Sequence, residues 1–256
     1  QGVEGIVTMV KSRTSFYMQM PDSEADQDER TSEGILVYRS AHGVKVGDRV
    51  RVDGSVKEYR ETGYADAADL TTTEIVASSI HVLAENVPLP APVMIGEGGR
   101  RIPDQIASPD GKAPFDPSKY SIDFYESLEG MRVQLDSPEI IGPYTYELPV
   151  TVDAERHSRR TPAGGLIITD GDFNSDRLLI ASKPAQPVKT GDRLDGTVTG
   201  IMSYSYSNFK ILPDQPLPAI QDGGWKREVS TLHNGPRQLT IASFNVENFW
   251  NEAIVS

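Results

Sequence analysis

Asn245 and Glu247, two positions apart, are the residues of this chain best suited to chemistry on a phosphate. They follow the apolar residues 239–242, which have the pattern of a buried strand. Side chains at i and i+2 of a strand share a face, so the amide and the carboxylate would point the same way. An amide can hydrogen-bond a phosphodiester, and a carboxylate can hold or orient a hard divalent cation. The pair is therefore suited to a metal-assisted site for a phosphoester.

Residues 244–248, Phe-Asn-Val-Glu-Asn, resemble the opening of the endonuclease/exonuclease/phosphatase superfamily. Residues 124–131 and residues 47–50 are similar to short sequence motifs in the bacterial extracellular nucleases of that superfamily. The resemblance covers nearly the whole chain. It implies that Asn245 is the catalytic asparagine that contacts phosphate and metal, and that Glu247 is its acidic neighbour and a metal ligand.

The resemblance also implies a longer parent protein, whose catalytic domain would begin at residue 239 and continue beyond residue 256. The superfamily's later acidic ligand, Asp/Asn pair and catalytic histidine have no counterpart here. We therefore expect the chain itself to be non-catalytic and to need no cofactor, with Mg²⁺ or Ca²⁺ serving the parent's catalytic domain. The parent would be a secreted or cell-surface DNA nuclease, and the missing catalytic domain would be this chain's partner. The alternatives are a phosphatase of the same superfamily and a scaffold that binds protein or glycan.

The elements that would position these residues are mostly strands. A Gly-Asp-Arg turn at residues 47–49 opens one alternating strand, and the same turn at residues 191–193 opens another. Two copies this far apart predict two similar domains rather than a solenoid. Short strands at this spacing suit a small Greek-key barrel. We predict a mostly β fold with two tandem OB-fold-like five-stranded barrels and proline-rich connections.

The predicted domain boundaries follow from the prolines. Seven prolines between residues 86 and 119 exclude a regular helix or ladder, so this segment is a long linker or irregular chain packed over a barrel. The predicted divisions are a first barrel at 1–90, a linker at 91–119, a second barrel at 120–215, a linker at 216–238, and the first strand of the catalytic domain at 239–256.

Aromatic and basic residues interleave along both predicted barrels, as they do where OB folds stack single-stranded nucleic acid. The candidate nucleic-acid-binding residues are Tyr38, Arg51, Tyr59, Arg60, Arg156, Arg159, Arg160, Tyr204 and Tyr206. Core or edge packing is the alternative role for the aromatic ones. A formal net charge of −12 predicts that single- or double-stranded DNA binds only weakly.

A second candidate metal site lies in one loop, where oxygen-bearing side chains occupy alternate positions. These residues are Asp170, Asp172, Asn174 and Asp176. They resemble the first half of a calcium loop but lack its later glycine and acid, so a solvated turn is the alternative. The chain has no cysteine, which excludes a thiolate site, and no apolar run long enough for a membrane span.

Overall fold

A computed structural model of the chain describes residues 2–26, 28–60, 69–152, 160–171 and 173–226, together with residues 229–231, 235–237, 239, 241 and 243. The chain divides into two units, Gln1–Trp225 and Lys226–Ser256. All the regular structure in the described residues lies in the first unit.

Strands dominate this unit, and the described residues include one short helix. The elements are β1 (Val3–Val10), β2 (Ser15–Gln19), β3 (Gly34–Tyr38), β4 (Arg49–Tyr59), β5 (Thr72–Ala84), β6 (Val93–Ile95), α1 (Ser121–Glu126), β7 (Arg132–Asp136), β8 (Glu139–Ile140), β9 (Leu148–Thr151), β10 (Leu178–Ile180), β11 (Arg193–Asp195), β12 (Thr197–Ser205), β13 (Asn208–Pro213) and β14 (Ala219–Gln221).

The first five strands close into a barrel in the order β1-β2-β3-β5-β4. Strands β3 and β5 are parallel, and the other pairs are antiparallel. Alternate residues point inward because side chains alternate along a strand. Val7, Phe16, Val37, Val52 and Ile75 thereby form part of an apolar core. The predicted five-stranded barrel in the first half is confirmed.

The second half forms one curled sheet of nine strands in the order β14-β11-β8-β9-β10-β13-β12-β7-β6. Within it, the order β8-β9-β10-β13-β12-β7 matches that of the closed barrel, with β8 and β7 together in the place of β1. Strands β10 and β13 are parallel, as β3 and β5 are. The barrel-like β architecture is confirmed, but the prediction of five strands in this half is wrong.

Two breaks and two added strands account for the higher number. Ser137, with φ of 43°, and Pro138 separate β7 from β8, because proline has no N–H for the ladder. Gly196, with φ of 136°, separates β11 from β12. Strands β6 and β14 then extend the two edges of the sheet.

The Gly-Asp repeat is a repeated structure. In the first copy the Lys45 N–H donates to the Asp48 carboxylate at 2.8 Å, and in the second the Lys189 N–H donates to Asp192 at 2.9 Å. Gly47 and Gly191 adopt φ of 86° and 88°, a region that glycine enters without strain. The two glycine N–H groups donate to the main chain of Val7 and Ile140 respectively. Each turn thus docks on the corresponding strand of its own half.

The proline-rich segment packs against the second sheet. Its strand β6 pairs in parallel with β7, and Ile95 and Ile102 are buried in the second core. Of the two interpretations of this segment, the structure thus shows chain packed on a barrel-like sheet. Residues 216–238 likewise contribute β14, which pairs with β11.

The two halves meet along a seam between β2–β3 and β12. Tyr17 and Leu36, which face outward from the barrel, pack with Ile201 of β12. The Tyr17 and Ser203 hydroxyl groups are hydrogen-bonded at 2.8 Å, and the Arg132 N–H donates to Gln19 Oε1 at 2.8 Å. In OB folds the strand 2–3 face is a usual ligand surface. Here the second sheet covers the part of it around Tyr17, so an open ligand surface must lie beside this seam.

None of the helices in the described part of the chain is long and apolar enough to cross a membrane.

Candidate nucleic-acid interface

A groove of about 480 Å³ runs between the outer face of the barrel and the β12–β13 hairpin. Its floor comes from neighbouring strands. On β5, Ile75 points into the core, so Glu74 and Val76 face outward into the groove. The ladder places Leu36 of β3 and Lys57 of β4 on either side of Glu74.

The hairpin supplies the opposite wall through Tyr204 and Tyr206. The Tyr204 hydroxyl donates a hydrogen bond to the Asp69 carboxylate and accepts one from the Leu70 N–H at 3.4 Å. The centre of its ring lies 4.9 Å from the centre of the Phe209 ring. These contacts fix the orientation of Tyr204. Burial, followed by the bond to Asp69, raises the pKa of Tyr204 to about 12, so the hydroxyl stays protonated.

Four of the predicted nucleic-acid-binding residues line this one groove: Tyr38, Tyr59, Tyr204 and Tyr206. Tyr38, Tyr59 and Tyr206 are 44%, 45% and 56% exposed to solvent, so they are not buried in either core. The Lys210 ammonium lies 5.5 Å from the centre of the Tyr206 ring, which supports that ring from one side. The groove therefore offers aromatic faces from both halves of the unit.

The groove carries charges of both signs. Lys11 and Lys57 face Glu74, and Asp69 lies by the hairpin. Burial raises the pKa of Glu74, while the charges of Lys57 and Lys11 oppose that shift. The bond from Tyr204 lowers the pKa of Asp69. The site is thus close to electrically balanced, in contrast to the net charge of −12 of the chain.

A second hollow of about 520 Å³ lies on the other side of Tyr204 and shares Asp69 and Leu70 with the groove. It is lined in part by Tyr125 and by Phe173, whose ring is 59% exposed. The two hollows thus adjoin each other at Tyr204.

The three predicted arginines that the structure describes, Arg51, Arg60 and Arg160, do not line the groove. Arg51 pairs with Glu4 of the neighbouring strand at 2.6 Å. Arg160 pairs with Glu139 at 2.7 Å, and both of these side chains are largely buried. Arg60 lies near enough to Asp69 to lower the pKa of that carboxyl. Arg156 and Arg159 lie outside the described residues.

Three of the four predicted loop ligands, Asp170, Asn174 and Asp176, lie in the described part of the chain. Asp176 is buried and accepts a hydrogen bond from the Thr151 hydroxyl at 2.6 Å, whereas Asp170 is exposed. Asn174 has φ of 57°, as in a tight turn. No group of three or more His, Cys, Asp or Glu among the described residues could hold a metal ion. Asp172, Asn245 and Glu247 lie outside these residues, and both metal sites stay predictions.

Sequence reasoning missed Lys57, Asp69 and Glu74. The alternation in residues 72–77 gave a signal for Glu74, since Ile75 between two non-core positions marks Glu74 as outward-facing. Nothing in the sequence placed that outward face opposite the hairpin of the other half.

Comparison with known families gives one match. Residues 94–222, half of the chain, match the model of the family described as Domain of unknown function (DUF8508). The chain belongs to this family. The DUF8508 segment contains the second sheet, with Tyr204 and Tyr206, and begins after the barrel that carries Tyr38 and Tyr59. No curated protein and no solved structure matches the chain.

Proposed function

We propose that residues 1–225 form a non-catalytic module that holds single-stranded nucleic acid and positions it for a metal-dependent nuclease domain. The nucleic acid would lie in the groove between the barrel and the β12–β13 hairpin. The observation that carries this proposal is the convergence of Tyr38, Tyr59, Tyr204 and Tyr206 on one groove. Each nucleotide base has a π-face, and stacking on an aromatic side chain is worth about 1–3 kcal/mol per base.

The second hollow supports a ligand with more than one base. It adjoins the groove at Tyr204 and is lined in part by Phe173 and Tyr125. Single-molecule sites usually measure about 300–1,000 Å³, so each hollow has room for roughly one or two bases. Bases on either side of Tyr204 would belong to one strand whose backbone stays in solvent.

The charges support single strands held mainly by stacking. Among the described residues, only Lys11 and Lys57 line the groove as cations, so few phosphates are neutralised. Duplex DNA hides its base faces in the stack and would depend on phosphate contacts that an acidic chain offers poorly. We therefore expect single strands to bind better than duplexes.

The nuclease part of the proposal rests on the resemblance of residues 244–248 to the superfamily opening. In the parent, Asn245 and Glu247 would contribute to a phosphate and metal site that uses Mg²⁺ or Ca²⁺. The module would keep a single strand within reach of that site. A secreted or cell-surface location belongs to the same proposal.

Glycan binding is the second candidate, because Asp69 and Glu74 lie among the tyrosines. Sugars stack their apolar faces on aromatic rings and donate hydroxyl hydrogen bonds to carboxylates. This alternative predicts that soluble polysaccharide, but not DNA, occupies the groove.

The test is fluorescence anisotropy of labelled oligodeoxynucleotides with the full chain at low salt. Tyr38→Ala and Tyr59→Ala should each weaken binding roughly 5- to 100-fold. Tyr146→Ala is the matched control, because this tyrosine is 88% exposed and lies outside both hollows. An equal loss in the control, or no binding of any oligonucleotide, would contradict the proposal. Displacement of a bound oligonucleotide by polysaccharide would favour the glycan candidate.

A further inference from the structure

Glu74 combines burial with an unfilled hydrogen-bonding capacity. It is only 9% exposed and lies on the groove floor. No residue within the described ranges donates a hydrogen bond to its carboxylate. The charges of Lys57 and Lys11 act on its carboxylate. Its oxygens are not among the buried polar atoms that lack a partner, so they open onto the groove, where N–H groups of a ligand can bond to them.

The geometry of a carboxylate determines which donors fit best. Its two oxygens accept two parallel N–H bonds, as they do from arginine. Among the bases, guanine alone presents two adjacent donors on its Watson–Crick edge, N1–H and the N2 amino group. Cytosine and adenine present one amino group each, and the N3–H of thymine lies between two carbonyl oxygens that repel a carboxylate.

We propose that Glu74 selects guanine within the bound strand by accepting hydrogen bonds from N1–H and N2–H of the base. The inference rests on the proposed nucleic-acid function. The groove tyrosines stack the base, and base edges of unstacked single strands are the surfaces that proteins read in this way. Burial raises the pKa of Glu74, and the charge of Lys57, its cross-strand neighbour, opposes that shift and favours the ionised carboxylate that a guanine edge requires.

The ligand can be varied without altering the protein. Anisotropy titrations of the full chain would compare thymine-rich oligonucleotides of about eight nucleotides that carry one central guanine, hypoxanthine or 7-deazaguanine. Hypoxanthine lacks the N2 amino group and should bind roughly tenfold more weakly than guanine. The 7-deaza base changes only the opposite edge and should bind as guanine does. Equal affinity for guanine and hypoxanthine would overturn the inference.

Glu74→Gln tests the protein side, because glutamine keeps the size of the side chain but has an NH2 donor in place of one oxygen, so it cannot accept the two parallel N–H bonds of guanine. It should abolish the preference for guanine over hypoxanthine, a ratio of affinities that a general loss of binding would not change. Glu97→Gln removes one charge from an exposed position outside the groove and should keep the preference. A preference that survives Glu74→Gln would overturn the assignment of Glu74 alone, whereas failure of every oligonucleotide to bind would overturn the proposed function itself.

Discussion

Gly34 of β3 and Gly130, which follows α1, meet backbone to backbone at the seam between the two halves. A Cβ atom on Gly34 would lie 2.3 Å from the carbonyl carbon of Gly130, and one on Gly130 would lie 2.8 Å from that of Gly34. The Gly130 N–H donates to the main chain of Met202 at 2.8 Å, so its backbone is held from a second side. Neither glycine has room to move away from the other.

We therefore expect Gly34→Ala to lower the free energy of unfolding by about 2–3 kcal/mol, because the added methyl group meets main chain rather than a flexible side chain. Gly98→Ala is the control, since it has a positive φ but nothing within 4 Å of the new Cβ, and it should cost only about 1 kcal/mol. Urea unfolding of both variants gives the comparison. Equal losses of unfolding free energy in the two variants would mean that the backbone at the seam shifts to accommodate the added methyl group.

A second prediction concerns pH. Burial, reinforced by neighbouring carboxylates, raises the pKa of Glu126 to about 7, and burial also raises that of Glu129 to about 7 against hydrogen bonds from Thr72 and Thr73. Glu58 adds to both shifts, while Lys11 opposes that of Glu129. A folded-state pKa above the unfolded value means that the folded state binds more protons. This contribution to stability is complete below pH of about 4.5 and is lost as the pH rises through about 7.

Glu129→Gln removes one of these ionisations. At pH 8 it should stabilise the chain on the order of 1–2 kcal/mol, after allowance for solvent screening, and at pH 4.5 it should have little effect. Thermal unfolding at the two pH values measures the difference. Glu97→Gln, at an exposed position, should change stability equally at both. A stabilisation by Glu129→Gln that does not depend on pH would contradict the burial argument.

A third prediction uses the unequal burial of an ion pair. Lys210 and Glu147 are 2.6 Å apart, but their side chains are 4% and 26% exposed. Glu147→Gln leaves a buried ammonium without its anion and should cost roughly 2–4 kcal/mol. Lys210→Met leaves a carboxylate that solvent can reach, so it should cost clearly less. Chemical denaturation of both variants and the double variant measures this asymmetry, and the reverse order would contradict it.

A fourth prediction concerns salt. If Lys11 and Lys57 contact phosphates, the logarithm of the association constant should fall by about 1.4 for each tenfold rise in salt. Lys57→Gln should reduce that slope by about 0.7. Lys45→Gln, an exposed lysine outside the groove, should leave the slope unchanged. Titrations at several salt concentrations measure it, and a slope several times steeper would indicate a basic contact surface elsewhere.

The sequence predicted the local structure well, because local structure depends on local patterns. Alternating apolar residues located the barrel strands, and the two Gly-Asp motifs marked two turns with the same hydrogen bonds. The predicted number of strands was wrong where a strand is interrupted. Ser137 and Gly196 break strands that continue in the first half, and neither break follows from hydrophobic alternation.

The site was only partly predictable for a similar reason. The tyrosine types suggested a stacking surface, and the structure brings Tyr38, Tyr59, Tyr204 and Tyr206 to one groove. Arg51 and Arg160 instead pair with Glu4 and Glu139. Each of these carboxylates is distant in sequence from its arginine, and only the folded sheet brings them together. A count of basic residues therefore overstated the positive charge available to a ligand.

The division of the groove between the two halves bears on how a binding surface is inherited. The DUF8508 segment carries Tyr204 and Tyr206, while Tyr38, Tyr59 and Glu74 precede it. A protein that acquired this segment without a barrel in front of it would have the hairpin wall of the groove but not its floor. Recombination at the start of the segment would thus exchange the floor and one wall of the groove while preserving family membership. Whether another member of the family shares the groove depends on the ninety or so residues that come before the segment.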